Sequence, residues 1–413
     1  MNQTVNTTMV LPQLRHMFPV PRARSFVTVV ISTLALIVAC LLFAPSSLSW
    51  GALSGSLPFA AIIAIVGLGQ LLVVQQGGFD LSLAGGVSLA VVISTHYPQG
   101  DNALLLPAVL IVVACAILAG LVNGILVSLF RLNAIVATIG VNALLYGAVF
   151  AVSGGVPKTT TTLLAAVAGG QTLGLPNTVY FTLAALLVVS FVLKKTVAGR
   201  RFEAIGANPL ATRAVGLRVH LHQLLAYVYA QLLYCVAGVL VAGITREPTA
   251  FQGDSLLLPS VAVVVLGGTS LLGGRGFPIS TVIAAFFLNQ LSQFALAVGV
   301  PYSAQTIIQA LALGFGIGVY SVRWTVNVVK QTKANSSGGK HEVLGQTETG
   351  ARRGGDSDRP RVLQFSSGRN AIMVRPEESD NCFARWLWRQ QLAPGDDCLR
   401  QGGGPQVPQH HKV

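Results

Sequence analysis

Side chains that could perform chemistry are scarce in the apolar part of the chain. An acid and a hydroxyl stand two residues apart at Asp80 and Ser82, directly after the glycine pair Gly77 and Gly78. Such a pair can cap a helix or contact a substrate. No HExxH sequence and no Ser/Lys pair lies within an apolar run, so a hydrolase would lack its reacting groups. The sequence therefore favours a protein that is not an enzyme.

The sequence also contains no pattern for a nucleotide-binding site or a metal site. The phosphate-binding pattern GxxxxGK[ST] is missing, because its nearest match places Ala334 at the first glycine and His341 at the final hydroxyl. Five cysteines without a CxxC pair give no basis for a metal or redox centre. We therefore expect no cofactor and no metal, and any energy from ATP would have to come from a separate subunit.

The composition is that of a membrane protein with a polar tail. Of 413 residues, 52% are apolar and 10% are charged, against about 25% charged residues in an ordinary soluble domain. These values exclude a soluble enzyme, a disordered chain and a disulfide-stapled module. Residues 1–325 contain 14 Lys and Arg but only five acids, whereas residues 326–413 are polar and rich in charge.

Apolar runs recur along residues 26–322. A membrane-spanning helix needs about 20 apolar residues, and ten runs approach that length; two of them, 79–95 and 256–272, are short and contain glycine, which predicts broken helices. The sequence therefore predicts an all-α polytopic membrane protein of about ten transmembrane helices. The runs are residues 26–44, 57–76, 79–95, 103–130, 134–153, 178–193, 222–244, 256–272, 277–298 and 302–322.

The basic residues predict the orientation. If the N-terminus is cytoplasmic, the inner segments up to residue 325 carry twelve Lys and Arg, and the outer loops carry only Lys158 and Arg246. The net charge of +13 is then mainly a matter of topology, and we expect no nucleic-acid partner. The predicted divisions are a cytoplasmic segment at 1–25, a transmembrane domain at 26–323 and a disordered cytoplasmic tail at 324–413, so that both ends lie inside.

The most charged inner loop, residues 194–221, predicts a short helix of about two turns. Asn208 suits its N-cap, Pro209 its first turn and Gly216 its C-terminal end, while Gly206 permits a turn before it. The helix carries a stripe of small and apolar residues at Leu210, Ala211, Ala214 and Val215. An apolar stripe bordered by charged residues fits two alternatives equally: a docking site for a soluble partner, and a helix lying on the lipid surface.

The first short run follows a glycine-rich break. Gly77 and Gly78 would end the preceding helix, and Asp80 or Ser82 would cap the next one by accepting free backbone N–H bonds. Asn123 and Asn142 are amides at or near membrane depth that need partners, either between helices or in a pocket. The polar residues of this break suit a purely structural role and a substrate contact.

The second short run ends in VLGGTSLLGGRG. Gly267 and Gly268 allow a tight turn and close packing. Thr269 and Ser270 could line a polar passage, but we expect them to bond back to carbonyls four residues earlier.

These segments resemble, in the same order, motifs of permease subunits of bacterial ABC importers, in particular the ribose/xylose/arabinose-type sugar permeases. The inner loop reads AIGANPLATRAVGL, which is similar to AIGGNPEAARLSGI of that family. The first break, GGFDLSLAGG, resembles GGIDLSVGS, and the second resembles VVLGGTSLSGGRG. Two departures in the loop are Leu210 in place of an acid and Ala207 in place of a glycine.

The resemblance implies a coupling loop, a set of partners and a location. On the family pattern, the loop would dock in a separate ATP-hydrolysing subunit through Glu203, Gly206, Asn208, Pro209, Ala211 and Gly216. The implied partners are ATP-binding subunits, a second permease copy or paralogue, a periplasmic sugar-binding protein and membrane lipid. The location would be the bacterial inner membrane, and the activity would be monosaccharide import by alternating access. The alternatives are a branched-chain amino-acid permease, a stand-alone secondary carrier and a non-transport scaffold.

Overall fold

The computed structural model describes residues 22–301 and three isolated positions beyond them, 304, 307 and 310. This part of the chain is almost wholly helical, as predicted, apart from one short hairpin of β1 (Gln171–Thr172) and β2 (Leu175–Pro176). The helices are α1 (Arg22–Phe43), α2 (Trp50–Gln75), α3 (Leu83–His96), α4 (Leu105–Ser128), α5 (Ala134–Ser153), α6 (Thr162–Gly169), α7 (Asn177–Lys195), α8 (Val197–Ala207), α9 (Pro209–Ala214), α10 (Val219–Thr245), α11 (Asp254–Leu266) and α12 (Pro278–Ala297).

Seven helices of the described region are long and apolar enough to cross a membrane, namely α1, α2, α4, α5, α7, α10 and α12. The two runs predicted to be broken form α3 and α11, whose 14 and 13 residues are too few to span hydrocarbon. The tenth run, 302–322, and the tail lie outside the described residues. The count of ten spans and the cytoplasmic placement of both ends therefore stay predictions.

The burial of the long helices fits a bundle surrounded by lipid. In the apolar windows of α2 and α10, 78% and 61% of residues are buried, against 22% in those of α1, α4, α5 and α7. The latter helices therefore expose apolar side chains around a centre formed by α2 and α10, as a membrane environment permits. Gly120 on α4 brings that helix close to α10, since a Cβ there would lie 2.6 Å from the Cα of Val228.

The short helices α3 and α11 begin beside each other. A Cβ on Gly253, the residue before α11, would lie only 2.1 Å from the carbonyl oxygen of Ala84 in the first turn of α3. We call this contact the mid-depth junction. From it α11 runs about 20 Å to a turn, residues 267–277, where Gly274 N–H donates to the carbonyl of Gln75 at the end of α2.

The helix α3 leaves the junction in the opposite direction, rising about 20 Å along α10. Gly86 in α3 packs against Gln231, and Gly238, two turns further along α10, packs against Ala90. The ring of His96 at the far end of α3 then contacts the carbonyl of Val156 after α5. The two short helices together extend about as far as the 26-residue α2, so the junction lies near the middle of the bundle's depth.

Residues 154–177, between two of the predicted spans, contain the short helix α6 and the β hairpin. The helix α6 packs against the end of α10, and a Cβ on Gly243 would lie 2.5 Å from the Cβ of Ala168. The apolar stretch Leu163–Val167 could have signalled this helix, but it is too short to stand out from a polar loop.

Candidate coupling segment and buried polar cluster

The predicted short helix of the inner loop is present as α9. The Asn208 side chain accepts a hydrogen bond from Ala211 N–H at 3.0 Å and so caps the helix that Pro209 begins. Gly216 ends it with φ +83°, and Leu217 N–H donates back to Thr212 O at 3.1 Å. This is the glycine-terminated helix end expected from the sequence.

Gly206 has a different structural role from the turn that was predicted for it. It lies inside α8 rather than in a turn, and a Cβ there would lie 2.0 Å from the carbonyl oxygen of Gln75 and 3.0 Å from the nitrogen of Gly274. We call this meeting of α2, α8 and the 267–277 turn the three-backbone contact. Glycine is required because three main chains approach one point, which spacing within one loop cannot reveal.

We call α8 and α9 together the coupling segment. Further bonds attach it to the rest of the bundle. The Gln76 side chain donates to Phe202 O of α8 at 2.9 Å. Just before the coupling segment, Lys194 Nζ at the end of α7 donates to Gly276 O of the 267–277 turn at 2.9 Å. Glu203 forms an ion pair with Arg275 at 3.7 Å, which contributes little because both side chains are partly exposed.

The outer surface of the coupling segment is apolar at two positions. Leu210 on α9 and Val215, directly after α9, are 78% and 76% exposed. Ala211 on α9 is also exposed. An exposed apolar pair of this kind is suited to a hydrophobic cleft on another protein.

Removal of the Asn208 cap should loosen α9. Asn208→Ala leaves Ala211 N–H without its acceptor and should destabilise the helix by about 1 kcal/mol, whereas Asn208→Asp keeps an acceptor at the same place. We expect limited proteolysis in mild detergent to cleave 208–216 faster in the alanine variant only. Equal cleavage of both variants would contradict the capping role.

Both predicted breaks are built alike. Gly77 and Gly268 have φ values of +80° and +83°. At each break, two consecutive N–H groups donate to carbonyls three and five residues earlier, a standard helix-ending arrangement. Gly78 and Gly267 serve close packing instead, since their Cβ atoms would lie 2.6 Å from the Tyr227 hydroxyl and 2.9 Å from that of Thr281.

The expected cap of α3 by Asp80 or Ser82 is wrong. Asp80 Oδ1 accepts bonds from the N–H and the hydroxyl of Ser82, at 2.9 and 2.5 Å, which closes a turn before the helix. The free N–H of Gly85 instead donates to Asn142 Oδ1 at 2.7 Å. The cap therefore comes from α5, and because Ser82 is committed to Asp80, its side chain is not available for α3.

Ser82 is the centre of a buried polar cluster, formed with Asp80, Asn123 and Gln231. Its hydroxyl accepts bonds from the side-chain amides of Asn123 and Gln231, each at 2.7 Å. All four side chains are at most 1% exposed. Asn123 thus links α4 to the break, which is one of the two roles predicted for it.

The buried polar cluster contains a residue that sequence reasoning missed. Gln231 lies in the apolar run 222–244, where a single amide among apolar residues was the available signal. Within the described region, the amide oxygens of Asn123 and Gln231 and the hydroxyl of Tyr227 have no hydrogen-bond partner in the protein. The network therefore has capacity for further polar contacts.

Thr269 and Ser270 do not bond back to carbonyls four residues earlier, contrary to expectation. The helix has already ended at Leu266, and the Ser270 hydroxyl accepts a bond from Leu272 N–H at 3.3 Å. Thr269 is 2% exposed, and its hydroxyl lacks a partner among the described residues.

Within the described residues, seven helices long and apolar enough to cross a membrane, together with two half-length helices, are the architecture of a multi-pass membrane protein. Residues 52–316 match the family described as branched-chain amino acid transport system / permease component. The match covers more than half of the chain, and the protein belongs to this family. As a member, it resides in the bacterial inner membrane, and its family is one of transporter subunits rather than enzymes.

Several relatives are similar over most of their length. A probable ABC transporter permease protein of Sinorhizobium fredii is 32% identical, covering 65% of this chain and 81% of the relative. The autoinducer 2 import system permease protein of an Enterobacter species is 31% identical, covering 75% and 93%. The ribose import permease protein of Escherichia coli K12 is 31% identical, covering 68% and 89%. No solved structure matches the chain.

Proposed function

We propose that this chain is the membrane-spanning subunit of an ATP-driven importer that moves a monosaccharide into the cell. The observation that carries the proposal is the coupling segment, a capped helix with two exposed apolar side chains and a rigid backbone attachment to α2. The relatives named for ribose and galactofuranose favour a sugar over a branched-chain amino acid as the substrate.

The proposed partners follow from this assignment. A separate ATP-binding subunit would receive Leu210 and Val215 in an apolar cleft, and exposed basic residues around them, including Arg213 and Arg218, favour acidic side chains at its rim. A second permease, identical or paralogous, would complete the passage, and a periplasmic binding protein would deliver the sugar. Both chain ends would then lie in the cytoplasm, next to the ATP-binding subunit.

The three-backbone contact suggests how movement passes into the membrane. A displacement of α8 would carry the end of α2 with it, because Gly206 packs directly against the main chain of Gln75. The break at Gly77–Ser82 lies directly after that point and is joined to α4 and α10 through the buried polar cluster. Closure of the ATP-binding subunits would thereby alter the packing of α3 and open the passage alternately to each side.

The test is purification of the tagged chain in mild detergent with its bound proteins, followed by reconstitution in vesicles. We expect an ATP-binding subunit to co-purify, and we expect ATP to drive uptake of labelled neutral sugars from a panel of pentoses and hexoses that includes ribose. Recovery of the chain alone, with uptake that persists without ATP and collapses with a sodium gradient, would instead establish a stand-alone carrier.

A further inference from the structure

An acid and two aromatic rings meet at the surface beside the mid-depth junction. The Tyr146 hydroxyl on α5 donates a hydrogen bond to Asp254 Oδ1 at the start of α11. The rings of Tyr146 and Phe251 stand edge to face with centroids 5.2 Å apart. Asp254 is exposed, and Phe251 is 40% exposed, so this group of three faces outward from the chain.

The depth of Asp254 restricts what that surface can face. Asp254 directly follows Gly253 of the mid-depth junction, and α11 and α3 each extend about 20 Å from there toward opposite ends of the bundle. An exposed carboxylate at such a depth is too costly to hold against hydrocarbon. The surface must therefore border water or a polar partner, and in a transport protein such a surface is the passage.

Hydropathy predicts that Asp254 lies outside the membrane, because the second short apolar run begins only at residue 256. In the structure the chain leaves the end of α10, where Gly243 packs against α6, and reaches the mid-depth junction at Gly253, whose N–H donates to the Ser88 hydroxyl of α3 at 3.0 Å. The helix α11 begins only after that point. A path of this kind is not visible in hydropathy, since residues 246–253 are polar enough to form an ordinary outer loop.

The carboxylate and the two aromatic rings favour a neutral sugar as the bound solute. Within the described region Asp254 forms no ion pair, and its one hydrogen bond to Tyr146 leaves most of its acceptor capacity free. A carboxylate accepts bonds from sugar hydroxyls, and the exposed face of an aromatic ring packs against the C–H groups of a sugar ring. An anionic solute such as a sugar phosphate would be repelled.

We propose that Tyr146, Phe251 and Asp254 form a contact site for a neutral monosaccharide in the passage of this permease, an assignment that rests on the proposed function. The site is connected to the break before α3, because Asn142, one turn before Tyr146 on α5, caps that helix through Gly85. Movement of α3 therefore changes the site's surroundings and gives the sugar weaker binding in one conformation than in the other.

The first test is labelling of a single cysteine in the intact membrane. In a background where the five native cysteines are replaced by alanine, Asp254→Cys should react with a charged, membrane-impermeant methanethiosulfonate reagent. Leu118→Cys, at similar depth on α4 and 63% exposed, should not react because it faces lipid. A neutral pentose or hexose from the panel should slow the reaction at 254, whereas ribose 5-phosphate should not.

No reaction at position 254, equal reaction at both positions, or no protection by any neutral sugar would each overturn the site. This labelling needs only a chain inserted in the membrane, so its failure is separate from a failure to bind an ATP-binding subunit.

The second test uses the whole importer in vesicles. Asp254→Asn and Tyr146→Phe should each raise KM for the transported sugar at least about tenfold, which corresponds to about 1.4 kcal/mol, without lowering co-purification of the ATP-binding subunit. Asp101→Asn is the matched control, since Asp101 is an exposed acid that accepts a bond from Ala103 N–H outside this site. An unchanged KM in both site variants would overturn the proposal.

Discussion

Replacement of Gly206 by alanine should reduce ATP-driven sugar uptake by more than about tenfold while the chain still inserts in the membrane. The added Cβ would lie 2.0 Å from the carbonyl oxygen of Gln75, where about 3.4 Å is the usual limit of contact. The second neighbour is the nitrogen of Gly274 in the 267–277 turn, at 3.0 Å. Because both neighbours are main-chain atoms in packed segments, neither can yield as a side chain would. The coupling segment must therefore move away from α2 and lose its attachment.

The measurement compares uptake with ATP hydrolysis in reconstituted vesicles. We expect the Gly206→Ala complex to hydrolyse ATP without moving sugar in proportion. Gly140→Ala makes the same chemical change in α5, where no atom lies within 4 Å of the added Cβ, and should behave as the native protein does. Normal coupling in the Gly206 variant would show that the three-backbone contact does not transmit the movement.

Replacement of Asp80 by alanine should strongly destabilise the protein. The change removes the acceptor for both bonds from Ser82 and leaves the Gln231 amide, now 3.3 Å from Asp80 Oδ2, with one partner fewer. Loss of charge-assisted bonds at a buried site costs about 3 kcal/mol. We expect a clear fall in the temperature at which the purified protein loses its monodisperse form in detergent.

Asp80→Asn is the matched control for this prediction. An asparagine keeps an oxygen that can accept from Ser82, and it removes the buried charge, so it should retain most of the stability that alanine loses. An alanine variant as stable as the native protein would contradict the structural role of the buried polar cluster. Equal losses in the two variants would mean that the charge, rather than the hydrogen bonds, is what the site needs.

Local sequence signals were sufficient for the elements and for several of their ends. The apolar runs predicted the helices, and glycine and asparagine preferences predicted the breaks at Gly77 and Gly268 and the cap at Asn208, because each depends on neighbours within a few residues. The half-length of α3 and α11 was also apparent, since a helix of 13 or 14 residues cannot cross hydrocarbon.

Contacts between distant segments could not be obtained in this way. Spacing assigned the cap of α3 to Asp80 or Ser82, but the structure supplies it from Asn142, which is 57 residues away from Gly85. Gly206 was interpreted as a turn residue because a glycine before an N-cap usually has that role. Its actual constraint is the main chain of α2, which is remote in sequence.

The sequence by itself determined that this protein is a helical permease, where its helices break and which loop forms a short, charged helix. Those properties depend on hydropathy, on helix-end preferences and on the motifs it shares with its family. The tertiary structure decided that α3 and α11 begin at one mid-depth junction, and that Asp254 and Tyr146 meet there. The physical reason is that depth in a membrane and approach between helices depend on how segments pack, and packing is a property of pairs of segments that no single segment encodes.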